Sequence, residues 1–572
     1  MRGRVSIFRA CDSRRTAAFA FFVLGALLAP ASVSWAVGPE RATGALDERA
    51  SRIENLLEGP GPLVVEGAIL DREALARAYG ARDYRPVWPD HPEAAAALLK
   101  SLVGAAADGI DPATIDGGLL AAAITDPTLS LAARDTLLTD RFIRFASALA
   151  QGQVDPASIE DDWVLRRPAF DPAPLLDRVA AGEELGSMMA ALAPHHAEYV
   201  RLRGALARYR QIASAGGWQS LPMISPGNPR YEGDFLLPLR HRLAIEGDLV
   251  GDQAAGKESE AALTAAVRRF QARHGLDVDG RVGRATLAAL NVSAADRAAQ
   301  LRIALERMRA MPHDWPAARV NVNIPFATLV LFRGDKPALT SRVVVGDPKH
   351  PTPVLGSAIQ SVVFNPAWDV PSSIIRNEMQ PRLARDPSYL ARNHFLLLGH
   401  GDGTSTDIDW TRTDILANGW RVQQQPGPWN ALGIVMFDFP SPFAVYLHDT
   451  PTRSAFALAA RGLSHGCVRV EAANALAGEL LGSAASPDSI QKIVAGGTTQ
   501  RHPLAGPMPV YLTYVTALVE EDGTVQFRDD LYGRDKRLAA ALSAVGGFQS
   551  PQIALGTEHR LSGVPPVVES QN

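Results

Sequence analysis

The sequence predicts an α+β multidomain chain: a mainly helical N-terminal scaffold, a small helical bundle, and a β-sandwich-type unit carrying an inserted cap. Three observations predict it. Apolar residues recur at helical spacing through the first half of the chain. From Arg319 the period shortens to two, with turn residues between the runs. Those strand signals then lapse once, over residues 372–425, before they resume.

The chain opens with Arg2, Arg4, Arg9, Arg14 and Arg15, followed by an uncharged run over residues 17–36 that includes Phe19-Ala20-Phe21-Phe22-Val23-Leu24. A basic head, an apolar middle and small residues at Ser34-Trp35-Ala36 predict a secretory signal over 1–36, cut after Ala36. An uncleaved membrane anchor is the alternative, because the run is long enough to span a bilayer. Both place the remainder outside the cytoplasm, in a periplasm or cell envelope.

Residues 37–230 read as a helical scaffold. Leu138, Phe142, Phe145 and Leu149 fall on one helical face, as do Tyr199, Leu202, Leu206 and Tyr209, and such stripes form core. A compact helical bundle follows over 235–293. Leu236, Leu239 and Leu243 make one stripe, Leu263, Val267 and Phe270 a second, and Val282, Leu287 and Leu290 belong to a third, short helix. Gly275 stops the second helix and Asp279-Gly280 turns the chain. A linker helix is expected over 300–316.

The β-rich unit is expected over 317–530. Strands are predicted at 320–324, 328–332, 342–345, 361–364, 434–439, 443–447, 510–514 and 525–527, with Arg333-Gly334-Asp335 as a hairpin turn. Many short strands without alternating helices point to a sandwich or a barrel-like unit. The segment 372–425 is a capping insert, since long insertions in compact domains tend to be lids or binding loops. Residues 540–572, rich in Ser, Gly and Pro, read as a loosely held tail.

The whole chain carries 57 basic and 61 acidic residues, and without the signal the balance is about −8. That charge excludes nucleic acid as a partner, and no later stretch is apolar enough to span a bilayer. There are two cysteines, of which Cys11 leaves with the signal. Exported thiols usually pair as disulfides, so a lone Cys467 is either an inert core residue or a nucleophile.

Its neighbours favour the nucleophile. The chain reads Ser464-His465-Gly466-Cys467-Val468-Arg469, and His448 closes an earlier strand. A thiol is a few per cent ionised at neutral pH, so it needs a nearby base or positive charge, and His448, His465 and Arg469 are candidates. Gly466 leaves room for substrate to approach the backbone, where consecutive amides can hold an oxyanion. One Cys and two His also allow a zinc site, but the spacing of His465 and Cys467 is not a common ligand spacing and no second Cys helps. No metal and no cofactor is therefore expected.

These residues resemble the L,D-transpeptidases of bacterial cell-wall synthesis, whose YkuD-type catalytic domain carries a His, a gap of about fifteen residues, then Ser/Thr-His-Gly-Cys. Here His448 is followed by fifteen residues and then Ser464-His465-Gly466-Cys467. Family-like segments extend to Val322-Asn323-Ile324-Pro325, Phe364-Asn365-Pro366-Ala367-Trp368-Asp369-Val370-Pro371, Pro426-Gly427-Pro428-Trp429-Asn430-Ala431-Leu432-Gly433 and Tyr446-Leu447-His448-Asp449-Thr450-Pro451. The bundle resembles a peptidoglycan-binding domain through Ala266-Val267-Arg268-Arg269-Phe270-Gln271, His274-Gly275-Leu276, Asp279-Gly280 and Thr286. Scaffold, bundle and insert together are similar to the large, YcbB-like branch of the family, in which the insert caps the substrate.

The resemblance implies Cys467 as nucleophile, His448 as proton acceptor and donor, and His465 and Gly466 in the oxyanion region. It implies substrate contacts from Arg469, Ser464, Tyr446, Trp429 and Asn430. Trp368 and Trp410 are read either as cleft-lining or as packing residues. The implied reaction joins peptidoglycan stems by 3→3 cross-links, with D-Ala leaving a tetrapeptide donor through a Cys thioester. An L,D-carboxypeptidase-type hydrolase and a catalytically silent wall-binding protein are the rival expectations. Expected partners are stem peptides and glycan, with other cell-wall synthesis proteins, and a membrane only if the signal is uncleaved.

Overall fold

A computed structural model describes residues 39–223, 235–249, 260–401, 408–482 and 486–546. The predicted signal over 1–36 lies outside the described residues. Contacts divide the chain into a unit ending at Glu48, whose described part is the opening of helix α1 (Pro39–Glu58), and a second unit from Arg49 onward.

In the second unit a hairpin of β1 (Leu63–Val65) and β2 (Ala68–Leu70) leads into α2 (Arg72–Gly80), α3 (Pro92–Gly104), α4 (Gly117–Thr125) and α5 (Leu131–Gln151). Glu66 and Gly67, both at positive φ, make the hairpin's two-residue turn. Then come α6 (Ala173–Ala180), α7 (Leu185–Ala190) and α8 (Ala197–Ser214). Ser130 caps α5 through the amide of Ala133, and Asp71 caps α2 through that of Ala74. The stripe Leu138, Phe142, Phe145 and Leu149 is buried, as are Tyr199, Leu202, Leu206 and Tyr209.

The bundle comprises α9 (Leu236–Ile245), α10 (Glu260–Arg273) and α11 (Arg284–Leu290) around Leu239, Leu243, Leu263, Val267, Phe270, Leu287 and Leu290. Gly275, at φ +66°, ends α10 as predicted.

Helix α12 (Ala294–Arg309) corrects the expected linker over 300–316. It starts at the Ser293 cap, ends at Arg309, and packs along α8. Arg297, Gln300, Glu306, Arg307 and Arg309 are all buried on it. Arg309 pairs with Glu306 and donates to the Tyr199 hydroxyl at 2.9 Å, while Arg307 pairs with Asp535 at 3.0 Å. Charges spread around a helix read as a solvated connector, but here each finds an internal partner from another element, and buried charges persist only when so paired.

The β-rich unit contains β3 (Ala318–Asn323), β4 (Thr328–Arg333), β5 (Lys336–Gly346), β6 (Leu355–Phe364), β7 (Trp368–Asp369), β8 (Phe395–Leu398), β9 (Arg421–Gln424), β10 (Val435–Asp438), β11 (Leu447–His448), β12 (Gly462–Ser464), β13 (Val468–Val470), β14 (Gln500–Thr513), β15 (Ala517–Val519) and β16 (Val525–Phe527). One nine-stranded sheet runs β12-β5-β13-β11-β10-β6-β14-β3-β4, and a further β4–β5 pairing closes it. Hydrogen bonding thus continues around the unit, the barrel-like of the two forms the strand pattern allowed. Residues 443–446, expected as strand, are not: Ala444 at φ +51° breaks the extended run, and only Leu447 and His448 pair. Outside the ring, α16 (Ala473–Leu481) and α17 (Pro487–Ala495) follow the last site strand.

The cap over 372–425 has its own three-stranded antiparallel sheet, β7-β9-β8, and its own core of Val370, Ile375, Met379, Leu383, Leu390, Leu397, Trp410, Ile415 and Val422. Three short helices, α13 (Ser372–Ile374), α14 (Gln380–Leu383) and α15 (Tyr389–Arg392), and a π-helical turn at Ile375–Met379 build its other face. Trp410 packs in this core and Trp368 packs against it, so neither belongs to the core of the barrel.

The expected tail over 540–572 begins as structure instead. Helix α18 (Arg534–Gly546) buries Leu538 and Leu542 against Val154 and Ile303. Its small alanine-rich face packs, and composition alone hid it; the residues after 546 lie outside the described set.

One seam ties the scaffold to the barrel. Val164 donates to the Val354 carbonyl at 2.8 Å, and Val354 donates to that of Asp162 at 3.0 Å. Arg534 then joins the Asp162 carboxylate at 2.5 Å. Among the described residues no helix is long and apolar enough to cross a membrane.

Candidate active site

The site grows from one parallel strand pair. In β11 and β13 Leu447 stands opposite Val468 and His448 opposite Arg469. Leu447 and Val468 are buried in the barrel core. Side chains alternate across a strand, so His448 and Arg469 occupy the other face; Tyr446 and Cys467 lie immediately before the two strands, where the Val468 amide donates to the Tyr446 carbonyl at 2.9 Å. The pairing of His448 with Arg469 places Cys467, two residues before Arg469, at the mouth of the strand next to His448.

His448 is buried, and its Nδ1 lies 2.5 Å from the carbonyl oxygen of Asp449. A carbonyl only accepts, so Nδ1 carries the proton and Nε2 keeps its lone pair. Burial pushes the imidazole down to about 4, and the Arg469 charge pushes the same way; the carbonyls of Asp449 and Leu432 oppose both.

Asp449 is itself locked. Its amide donates to Val435 at 2.8 Å, and its carboxylate accepts from the Ile434 amide at 3.1 Å and from Arg453 at 2.9 Å. Gly433, at φ +63°, must be glycine here, since a Cβ would sit 2.4 Å from that carboxylate.

Cys467 is a free, half-buried cysteine. Its sulfur lies 3.9 Å from the Ala444 carbonyl. Burial pushes the thiol up, while the Tyr446 amide and Arg469 pull it down. Both shifts favour the neutral forms, thiol and imidazole.

The turn before Cys467 departs from the sequence-based roles. Ser464, expected at the substrate, is buried; its hydroxyl donates to the Cys467 carbonyl at 2.5 Å and accepts from the Gly466 amide at 3.2 Å. It braces the turn and has no hydroxyl to spare. The Gly466 amide is consumed by the same bond, so it does not face an oxyanion. Gly466 contributes its conformation instead, at φ +106°, a region side chains rarely adopt. The Cys467 amide donates to no protein group among the described residues. His465 is half exposed and its Nε2 lies 2.7 Å from Glu378 on the cap.

Asn430 is also corrected. It is wholly buried, donating to the carbonyls of Gln424 and Gln425 at 3.3 and 3.0 Å and accepting from the Leu432 amide at 2.8 Å. A side-chain amide so used shapes the loop that leaves the cap. Trp429 remains exposed, stacked on His394 with ring centroids 3.7 Å apart. Tyr446 is half-buried, and its phenol is pushed up by burial and by Cys467, Asp438 and Asp369. Arg469 is half-buried beside both reactive groups.

Sequence reasoning missed Thr352. Its hydroxyl donates to the Gly466 carbonyl at 2.8 Å and accepts from the Gly346 amide at 2.8 Å, while its amide donates to the Tyr532 hydroxyl at 3.2 Å. The scaffold seam at Asp162–Val354 thus ends two residues from the group that holds the nucleophile turn. The segment His350-Pro351-Thr352-Pro353 was the available signal, a rigid turn with a hydroxyl in it. Glu378 was missed as well, since an exposed-looking glutamate in an insert carries no local mark. Among the described residues no group of three or more His, Cys, Asp or Glu is arranged to hold a metal ion.

Comparison with known proteins adds the family. Residues 317–498 match the model of the L,D-transpeptidase catalytic domain, YkuD; residues 73–206 match a scaffold domain; and residues 233–290 match the model described as "Putative peptidoglycan binding domain". A "Putative L,D-transpeptidase" of Haemophilus influenzae is 36% identical over 246 residues, which are 42% of this chain and 49% of the relative. The chain thus spans about half the length of the curated relative it matches. A solved L,D-transpeptidase (Yku) from Stackebrandtia nassauensis is similar at 16% identity and TM-score 0.20, covering 50% of this chain and 97% of that one. The Ldtfm–avibactam carbamoyl enzyme is similar at 11% identity and TM-score 0.18, covering 44% of this chain and 80% of that one. Residues 317–498 are therefore similar to the YkuD L,D-transpeptidase catalytic domain, and the residues before them to a scaffold domain and to the model described as "Putative peptidoglycan binding domain".

Proposed function

We propose that this chain is an L,D-transpeptidase that forms 3→3 cross-links between peptidoglycan stems through a thioester on Cys467. The observation that carries the reading is the register of β11 with β13, which pairs His448, its Nδ1 held by the Asp449 carbonyl, with Arg469, two residues after the lone thiol. As the sulfur attacks the carbonyl of the third residue of a tetrapeptide stem, His448 takes its proton. The Cys467 amide stabilises the tetrahedral oxyanion. His448 then protonates the departing D-Ala nitrogen, acting as base and acid in turn.

The amine of a second stem attacks the thioester and releases the thiol. Arg469 assists by favouring negative charge on sulfur, and Tyr446 and Trp429 border the substrate on the open face. The bundle, matched to a peptidoglycan-binding domain, supports glycan as a second contact. The proposed place of action is the periplasm or cell envelope, reached through the signal over 1–36, with other cell-wall synthesis proteins as neighbours.

Incubating the chain with a disaccharide-tetrapeptide and weighing the products tests the reading. Cross-linked dimer plus D-Ala supports it. Tripeptide alone makes the chain an L,D-carboxypeptidase-type hydrolase, and unchanged substrate makes it a silent wall-binding protein.

A further inference from the structure

We infer that Glu378, on the cap, governs whether the Cys467 thioester meets an amine or water, by docking the cap on His465 beside the nucleophile. The inference rests on the proposed thioester chemistry. The two fates are simple to write. In transfer, the amine nitrogen bonds to the acyl carbon, the carbon–sulfur bond breaks, and one amine proton ends on the Cys467 sulfur. In hydrolysis, water oxygen takes the nitrogen's place, a carboxylic acid leaves, and the sulfur is again protonated. Water is always present, so the ratio of the products depends on what closes the site.

The geometry assigns that closure to one carboxylate. Glu378 lies 2.7 Å from His465 Nε2, and His465 is two residues before the nucleophile. The His465 ring also packs on His350, centroids 4.7 Å apart, and His350 Nδ1 lies 3.1 Å from Asp347. The loop of His350 also supplies Thr352, which holds the Gly466 carbonyl. The barrel therefore grips the turn at Gly466 while the cap grips it at His465.

Among the described residues the cap's apolar core forms a cluster separate from that of the barrel. The cap's connections include Trp368 and Asp369 paired with Gln424 and Gln423, Asn430 bonded to Gln424 and Gln425, and the stack of His394 on Trp429. The Glu378–His465 bond reaches the nucleophile turn directly. Both side chains keep about two-fifths of their surface, 38% for Glu378 and 40% for His465, which suits a contact that forms and breaks. Glu378 sits in a π-helical turn whose Ile375 and Met379 are buried in the cap core. Such turns recur at functional sites, because the widened turn re-aims a side chain without loosening its neighbours.

Glu378 is thus a positioning residue for the second half-reaction. The test uses the full chain, with a disaccharide-tetrapeptide as donor and acceptor, and reads the ratio of cross-linked dimer to tripeptide. That ratio is independent of how fast the thioester forms. Glu378→Ala is expected to lower it about tenfold, with Glu378→Gln, which keeps a hydrogen bond to His465, restoring much of the loss. Hydrogen exchange over 372–401 and 408–425 is expected to quicken in the alanine variant. An unchanged ratio, or unchanged exchange in the cap, overturns the inference. A wild-type chain that forms no adduct on Cys467 instead overturns the functional reading, and this inference falls with it.

Discussion

His448 stands directly opposite Arg469 in the parallel pairing of β11 with β13. That register has an electrostatic result. The guanidinium adds to burial in keeping the imidazole unprotonated, with its pKa pushed down to about 4, and it counters burial at Cys467 by favouring the thiolate. One charge thus helps keep the imidazole neutral while favouring the thiolate that proton transfer creates.

The pH dependence of the thiol follows. With the thiol pushed above its ordinary value of 9.0, the thiolate fraction at pH 7 is small, and with His448 at about 4 no imidazolium compensates it. Alkylation of Cys467 by iodoacetamide should therefore climb about tenfold per pH unit through neutrality. A rate that is flat between pH 5 and 8 would mean a thiolate–imidazolium pair and a different resting state.

Cys467→Ala should leave no covalent adduct by mass spectrometry, with either the stem donor or a carbapenem, while the melting temperature stays near that of wild type. His448→Ala should lower kcat/KM on the donor about 10²- to 10⁴-fold, the usual worth of a general base. An adduct that survives the loss of Cys467 rules out this nucleophile.

Thr352→Val removes the hydroxyl shared by the Gly466 carbonyl and the Gly346 amide, both at 2.8 Å. Leaving such groups unsatisfied costs about 1–3 kcal/mol, and kcat should fall more than KM rises, because the turn carrying the sulfur is released. Thr352→Ser should recover both stability and turnover. Gly346→Ala is expected to be harsher, since its Cβ would lie 2.1 Å from the His350 carbonyl oxygen.

Leu538→Ala tests the C-terminal helix. Leu538 is wholly buried beside Val154 and Ile303, so truncation should destabilise the chain by about 2–5 kcal/mol in denaturant unfolding. A change near zero would mean that α18 does not pack on α12 in solution.

The sequence by itself determined elements such as α5, α8, β3 and β4, because the apolar periods behind them are local. It also singled out Cys467, solitary after the signal, and the spaced histidine His448, since residue type and spacing are written in the chain. Only the tertiary structure decided which neighbours face the sulfur. Ser464 and Asn430 match the family pattern yet spend their hydrogen bonds on nearby backbone, whereas Thr352, 114 residues before Gly466, becomes its support. The same holds for α12, expected only as a linker, whose buried charges pair with Tyr199 and Asp535 from elsewhere in the chain. Periodicity reports which face of an element is apolar; the partner of a polar group is chosen by closure of the sheet and by burial, which no local window contains.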